Sequence, residues 1–293
     1  MENTTMENTT MENTRTKTTR NSLILLLTAA IWGMAFVSQS KGMDYMHPFT
    51  FNGVRSLIGA ASILVYILIS RKIAGDKAAP LDWKLNVKAG LLCGIFLTIA
   101  STLQQFGIKY TSVGKAGFIT TLYIIFVPMF GIFLKKKVAP VVWAAAVMAA
   151  VGMYLLCMTE SLRLGAGDIM VFLCAIAFAI QIMTVDHYAA RIDGAVVSCI
   201  QFTVCGVVCC IGALIWGQPT FGQLQEGLGA LLYAGVLSCG VGYTLQIVGQ
   251  KGLNPTVAAL IMSLESVIAT ISGWIAYKIG FLTTDQTLTA RQI

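Results

Sequence analysis

Apolar stretches of about 20 residues recur along the whole chain, at 21–40, 48–70, 88–108, 112–134, 138–158, 168–187, 195–216, 227–250 and 255–279. A helix of that length crosses the hydrocarbon core of a bilayer, and nine such segments leave little chain for a soluble domain. Alternating strand patterns are absent, and an open sheet cannot satisfy its backbone in lipid, so helices are the viable spanning structure. The chain is only 11% charged, against about 25% in soluble domains. The expected fold class is an all-α polytopic membrane protein.

The net charge of +7 does not indicate nucleic acid, because the charges sit mostly at span ends, where they act as topology signals. With the N-terminus inside, 13 Lys and Arg fall on the cytoplasmic side and 6 on the other, with Arg55 left inside a span. A multi-pass protein of the cytoplasmic (plasma) membrane with a cytoplasmic N-terminus follows. All eight cysteines lie in apolar spans. They read as small buried hydrophobes, so neither disulfides nor a metal site is expected.

Residues 1–14 read "MENTTMENTTMENT", a polar repeat, and 1–20 is expected to be a disordered tail. A longer repeat carries more information. Slid by 142 residues, Leu103–Leu122 lies on Leu245–Leu264 without a gap, matching at Leu103, Gln104, Gly107, Lys109, Ala116, Ile119 and Leu122. Slid by 146 residues, "LLTAAIWGMAF" falls on "FLCAIAFAIQI", with Trp32 over Phe178. A duplicated five-helix unit is expected, as a first repeat over 21–158 and a second over 159–293. Five is odd, so the second copy enters the membrane from the opposite side, the inverted-repeat plan of many carriers. The first unit's fifth helix has its counterpart near Thr287–Ile293, where the chain stops, and the tenth helix is expected to be absent.

Of the thirteen Asp and Glu, only Glu265 lies deep in an apolar span. An ionisable group there costs roughly 2.5–3.5 kcal/mol on insertion scales, so it should face a wet cavity or a partner. Ala258, Met262, Glu265, Ala269 and Ser272 share one small or polar helix face, so Glu265 is expected to point inward. Its repeat mate is Tyr123. Arg55 is the only deep base, and its mate is Gln201. An arginine that caps carbonyls or holds helices together is the structural alternative to one that binds a solute carboxylate. Gln104, Gln105, Gln181 and Gln246 should also face inward, because lipid penalises them, and together they favour a wet cavity. Trp32 and Tyr243 are candidate aromatic walls. The sequence "GAGD" at Gly165–Asp168 matches a protease pattern that needs a second intramembrane carboxylate; Asp168 at a helix start reads better as an N-terminal acid. No phosphate-loop, zincin or serine-hydrolase motif occurs, and no enzyme or cofactor is expected.

These residues resemble the EamA-like branch of the drug/metabolite transporter superfamily. "WGMAF" (Trp32–Phe36) resembles the start of its first helix, and Tyr110–Gly131, including Pro128, its third-to-fourth helix segment. Asn254–Trp274 resembles its ninth helix, where the family often has Glu-Pro-Val and Ser266 here stands in the proline's place. The resemblance implies a ten-helix carrier with both termini inside that moves amino acids, other metabolites or drugs, often outward. The expected function is secondary transport of a small metabolite or amino-acid-like solute by alternating access, with a proton or another ion as candidate coupling partner and the bilayer as surroundings. A membrane receptor that binds without transport is the alternative.

Overall fold

The computed structural model describes residues 2–75, 80–134, 140–157, 165–283 and 286. The chain runs through α1 (Glu2–Gly42), α2 (Pro48–Ala74), α3 (Trp83–Ile108), α4 (Val113–Thr121), α5 (Tyr123–Phe133), α6 (Pro140–Cys157), α7 (Ala166–Tyr188) and α8 (Gly194–Gly212). After a π-helical turn at Ala213–Gly217 come α9 (Phe221–Glu226), α10 (Leu228–Leu232), a π-helical stretch at Tyr233–Gly242, α11 (Tyr243–Gln250), α12 (Pro255–Met262) and α13 (Glu265–Lys278). Some consecutive short elements join end to end, and among the described residues eight stretches are long and apolar enough to cross a bilayer. The expected span over 138–158 corresponds to α6, of which Trp143–Gly152 counts as a shorter apolar helix.

One expectation changes here. The polar repeat continues α1 as helix back to Glu2 rather than forming a separate disordered tail. Propagation from a helix already nucleated fixes one residue per hydrogen bond and is far less costly than starting anew. The region expected to begin a tenth helix, Thr287–Ile293, lies outside the described residues.

Local chemistry sets the helix starts. His47 Nδ1 accepts from the backbone N of Phe49 at 3.3 Å, and Pro48 follows at N1, where no donor is needed. Asn254 and Pro255 repeat this device at α12, with Asn254 Oδ1 accepting from Thr256 N at 2.9 Å. Asp82, Ser112 and Asp193 cap α3, α4 and α8. Positive φ at Gly252 (76°) lets the chain reverse between α11 and α12.

The element boundaries recur at constant offsets along the chain. α1 and α7 end at Gly42 and Tyr188, and α2 and α8 begin at Pro48 and Gly194, each pair 146 residues apart. α3 and α11 end at Ile108 and Gln250, α4 and α12 begin at Val113 and Pro255, and α5 and α13 begin at Tyr123 and Glu265, each pair 142 apart. Packing repeats as well. α3 lies on α7 as α11 lies on α1, α3 lies on α8 as the Tyr233–Gly242 stretch lies on α2, and α2 packs on its own counterpart α8. Close approaches are shared too. A Cβ on Gly107 would come within 2.8 Å of Gly167 O, and one on its mate Gly249 within 3.2 Å of Asn21 O. Asn21 and Gly167 are themselves repeat mates.

Candidate functional site

Both helices that carry the candidate acid–phenol pair are broken at their centres. The first break falls at Leu122, between α4 and α5, and the second at Ser263–Leu264, between α12 and α13. Each is a tight turn of i→i−3 bonds. Leu122 N donates to Ile119 O at 3.2 Å and Ile125 N to Leu122 O at 2.9 Å; Leu264 N donates to Ile261 O at 3.3 Å and Ser266 N to Ser263 O at 3.1 Å. The second break therefore forms with Ser266 where the family often has proline, helped by Ser266 Oγ donating to Ser263 O at 2.9 Å. Tyr123 and Glu265 each open the helix after its break.

The two repeat mates meet. Tyr123 Oη donates to Glu265 Oε1 at 3.0 Å, and both side chains are buried. They stand on a central cavity of about 40 Å³, room for about three water molecules. Its lining comes largely in repeat pairs: Trp32 with Phe178, Phe36 with Ile182, Leu97 with Cys239, Ser101 with Tyr243, Gln104 with Gln246, and Tyr123 with Glu265. The cavity is therefore built by both halves of the chain, from equivalent positions.

Arg55 faces the same cavity and is 4% exposed. Its Nε donates to Asn52 Oδ1 at 3.0 Å, one turn earlier on α2. The Asn52 amide is held in turn by Ser101 Oγ at 3.1 Å and Cys209 Sγ at 3.2 Å. The guanidinium carbon also lies over the Phe51 ring, 5.5 Å from its centre. Among the described residues the ion pairs are Lys41–Asp44 and Lys115–Asp168, so Arg55 and Glu265 share a cavity without pairing to each other. Glu265 Oε2 and the two terminal nitrogens of Arg55 have no hydrogen bond to a described residue. A buried acid and a buried base, neither paired with the other, thus line one small cavity.

The remaining predicted residues divide by helix face. Gln104 Nε2 donates to Thr120 Oγ1 at 3.3 Å, and Gln246 Nε2 to Gln181 Oε1 at 3.3 Å; all three glutamines line the cavity. Gln105 does not. It lies behind the wall and donates to Gln39 O at 3.2 Å. Gln104 and Gln105 point about 100° apart on α3, and of the two only Gln104 reaches the cavity. Trp32 and Tyr243 form the aromatic wall, with ring centres 4.6 Å apart, and Trp32 Nε1 donates to Ser238 O at 3.3 Å. Ser238 lies in the π-helical stretch, where the ladder is loosened and a carbonyl is free to accept; such stretches recur at functional sites. Asn52, Ser101 and Ser238 were missed as sequence candidates. Asn52 and Ser101 lie three residues before Arg55 and Gln104, a spacing that places each pair on one face. Asp168 is structural: its oxygens accept from Lys115 Nζ, from Thr111 Oγ1 at 2.9 Å and from Gly165 N at 2.9 Å.

The sequence pattern of the EamA-like transporter family matches residues 20–158 and 165–285. An uncharacterized transporter from Archaeoglobus fulgidus is 30% identical over 171 residues, 56% of this chain and 48% of that protein, so the chain matches about half the length of that relative. The uncharacterized transporter YwfM from Bacillus subtilis is 27% identical over 86% of this chain and 84% of its own length. One from Clostridium kluyveri is 24% identical over 85% and 83%. A solved structure titled "Crystal structure of protein" superposes with a TM-score of 0.70 at 17% identity, covering 91% of this chain and 90% of that one; it speaks to the fold alone.

Proposed function

The chain belongs to the EamA-like transporter family, and from that premise we propose that it is a secondary transporter for a small zwitterionic, amino-acid-like solute. The observation that carries this reading is the central cavity, where Arg55 and Glu265 each present an ionisable group with no ion-pair partner among the described residues. A solute carboxylate would take the terminal nitrogens of Arg55, and a solute ammonium would take Glu265 Oε2. The glutamines and Ser101 would bond the polar backbone of the solute, and Trp32 and Tyr243 would pack its side group. A proton and the solute ammonium compete for one carboxylate, which gives a route to proton-coupled exchange.

A cavity of about 40 Å³ is too small for such a solute, so the helices must separate to admit it. Repeated boundaries, repeated packing and paired lining support two five-helix units, 21–158 and 159–293, that rock about the cavity in alternating access. The odd number of spans per unit supports opposite orientations for the two halves, and the charge asymmetry supports a cytoplasmic N-terminus in the plasma membrane. Of the cations in that count, Lys77, Lys135–Lys137, Arg163 and Arg291 lie outside the described residues. Tyr45 and Arg191 are repeat mates in the α1–α2 and α7–α8 connections. Cysteines placed there should react with a membrane-impermeant thiol reagent from opposite sides in whole cells, Tyr45→Cys directly and Arg191→Cys only after permeabilisation. Labelling of both from one side refutes the inverted plan.

The functional test is transport. Purified protein in proteoliposomes should release preloaded neutral amino acids faster than empty liposomes, and an imposed pH gradient should change the rate. Binding of the same amino acids with no movement would replace the carrier reading with the receptor reading.

A further inference from the structure

The duplication places an equivalent wedge between helix ends at each end of the bundle, and the two wedges are filled differently. At the first, where α2 begins between the ends of α3 and α8, aromatic rings fill the space. Phe49 lies 5.1 Å from Phe106 and 5.5 Å from Trp216 between ring centres, with His47 5.5 Å from Phe106. Burial first, and Lys109 nearby second, hold the His47 imidazole below the ordinary histidine range, so it stays neutral in its capping role. At the second wedge α8 begins between the ends of α2 and α11. The mates of Phe49, Phe106 and Trp216 are there Ala195, Val248 and Ser70. With the rings gone, a cavity of about 620 Å³ opens at that place.

Charge changes along with volume. The mates of Gly217, Tyr45 and Lys109 are Arg71, Arg191 and Lys251, and all three line this second cavity. None of them forms an ion pair among the described residues. Arg191 Nη2 and Lys251 Nζ each donate to a backbone carbonyl, His187 O and Ile192 O, both at 3.3 Å. Two carboxylates stand in the described lining, each with one oxygen engaged as a cap: Asp82 Oδ1 accepts from Leu85 N at 3.0 Å, and Asp193 Oδ1 from Ala195 N at 2.9 Å and Val196 N at 3.1 Å. Below the cations the walls turn apolar within one or two turns, from Arg71 to Ile67 and Tyr66 on α2, and from Lys251 to Val248 on α11. Val248 and Thr244 point away from Gln246, so this face of α11 is the reverse of the one that lines the central cavity.

We propose that this basic cleft between the ends of α2 and α11 is a binding site for an anionic phospholipid, whose phosphate sits among Arg71, Arg191 and Lys251 and whose glycerol and upper acyl chains fill the space that the rings fill at the other end. The cations lie where spans end, at the depth of lipid phosphates, and the amphipathic lining matches a headgroup joined to hydrocarbon. A soluble anion would use the cations and leave the apolar half of the cavity empty.

The test is lipid retention by the full chain in detergent, read by native mass spectrometry and by thermal shift, with phosphatidylglycerol, phosphatidylcholine and inorganic phosphate as probes. Wild type should retain phosphatidylglycerol, retain phosphatidylcholine at least tenfold more weakly, and show no stabilisation by inorganic phosphate. Arg71→Gln combined with Lys251→Gln should weaken phosphatidylglycerol, by about fivefold per charge removed. Ala195→Phe, which copies the side chain of its mate, should expel the lipid while all three cations stay. The charge variant serves as an independent arm if the filled one does not fold. Equal retention of both lipids, undiminished phosphatidylglycerol in the double variant, or stabilisation by inorganic phosphate as strong as by the lipid would each overturn the proposal.

Discussion

Glu265→Gln should leave the protein folded and stop pH-responsive transport. The amide keeps the size of the carboxylate, and its carbonyl oxygen can still accept from Tyr123 Oη, now at 3.0 Å from Glu265. What the variant loses is the charge that a solute ammonium or a proton would meet. Losing one partner of a buried charge pair costs about 2–5 kcal/mol, so uptake at low solute should fall roughly 30-fold or more. The residual rate should no longer respond to a pH gradient across the liposome membrane. Tyr123→Phe removes only a hydroxyl donor and should cost about 1 kcal/mol, a few-fold. Near wild-type rates with an intact pH response in Glu265→Gln would assign the acid to helix structure alone. Melting temperature in detergent, measured beside transport, separates loss of function from loss of fold.

The fold class was legible because membrane spans leave marks in a single sequence. The 142-residue register paired Tyr123 with Glu265, and the structure places a hydrogen bond between the two. What the register did not reveal was the break before each of the two. No proline or glycine occupies Leu122 or Leu264, and the tight turns there depend on tertiary placement of the flanking halves, which local propensity does not record. The cavity wall was legible in part. Glutamine in lipid is costly wherever it points, so Gln105 carried the same signal as Gln104, and only the 100° step along α3 separates a lining residue from one behind it. Asn52 and Ser101 were hidden for the opposite reason: short polar residues are common in membrane helices and raise no alarm. The basic cleft could not be read from composition at all. It appears only when each residue at one end is set against its mate at the other, Phe49 against Ala195 and Trp216 against Ser70.

Arg55→Gln should separate recognition of the two ends of the solute. Gln201 is the mate of Arg55, is fully buried in α8, and lies within 3.5 Å of Gln181 Nε2. The fold therefore already holds a glutamine at the equivalent position, and a glutamine at 55 should be accommodated while its amide still reaches Asn52. Folding should survive, because the variant also removes a buried charge with no acidic partner among the described residues. Binding of a zwitterion should weaken about 30-fold or more, since its carboxylate then enters the cavity without a cation. An amino-acid amide, which lacks the carboxylate, should bind wild type and variant alike, because its ammonium still meets Glu265. Competition of unlabelled amino acid and amino-acid amide against a labelled substrate reads both affinities in one assay. Equal weakening of acid and amide would mean that Arg55 shapes the cavity through Asn52 rather than touching the solute. An unchanged affinity for the acid would remove the carboxylate from the guanidinium and leave Glu265 as the charged contact of the site.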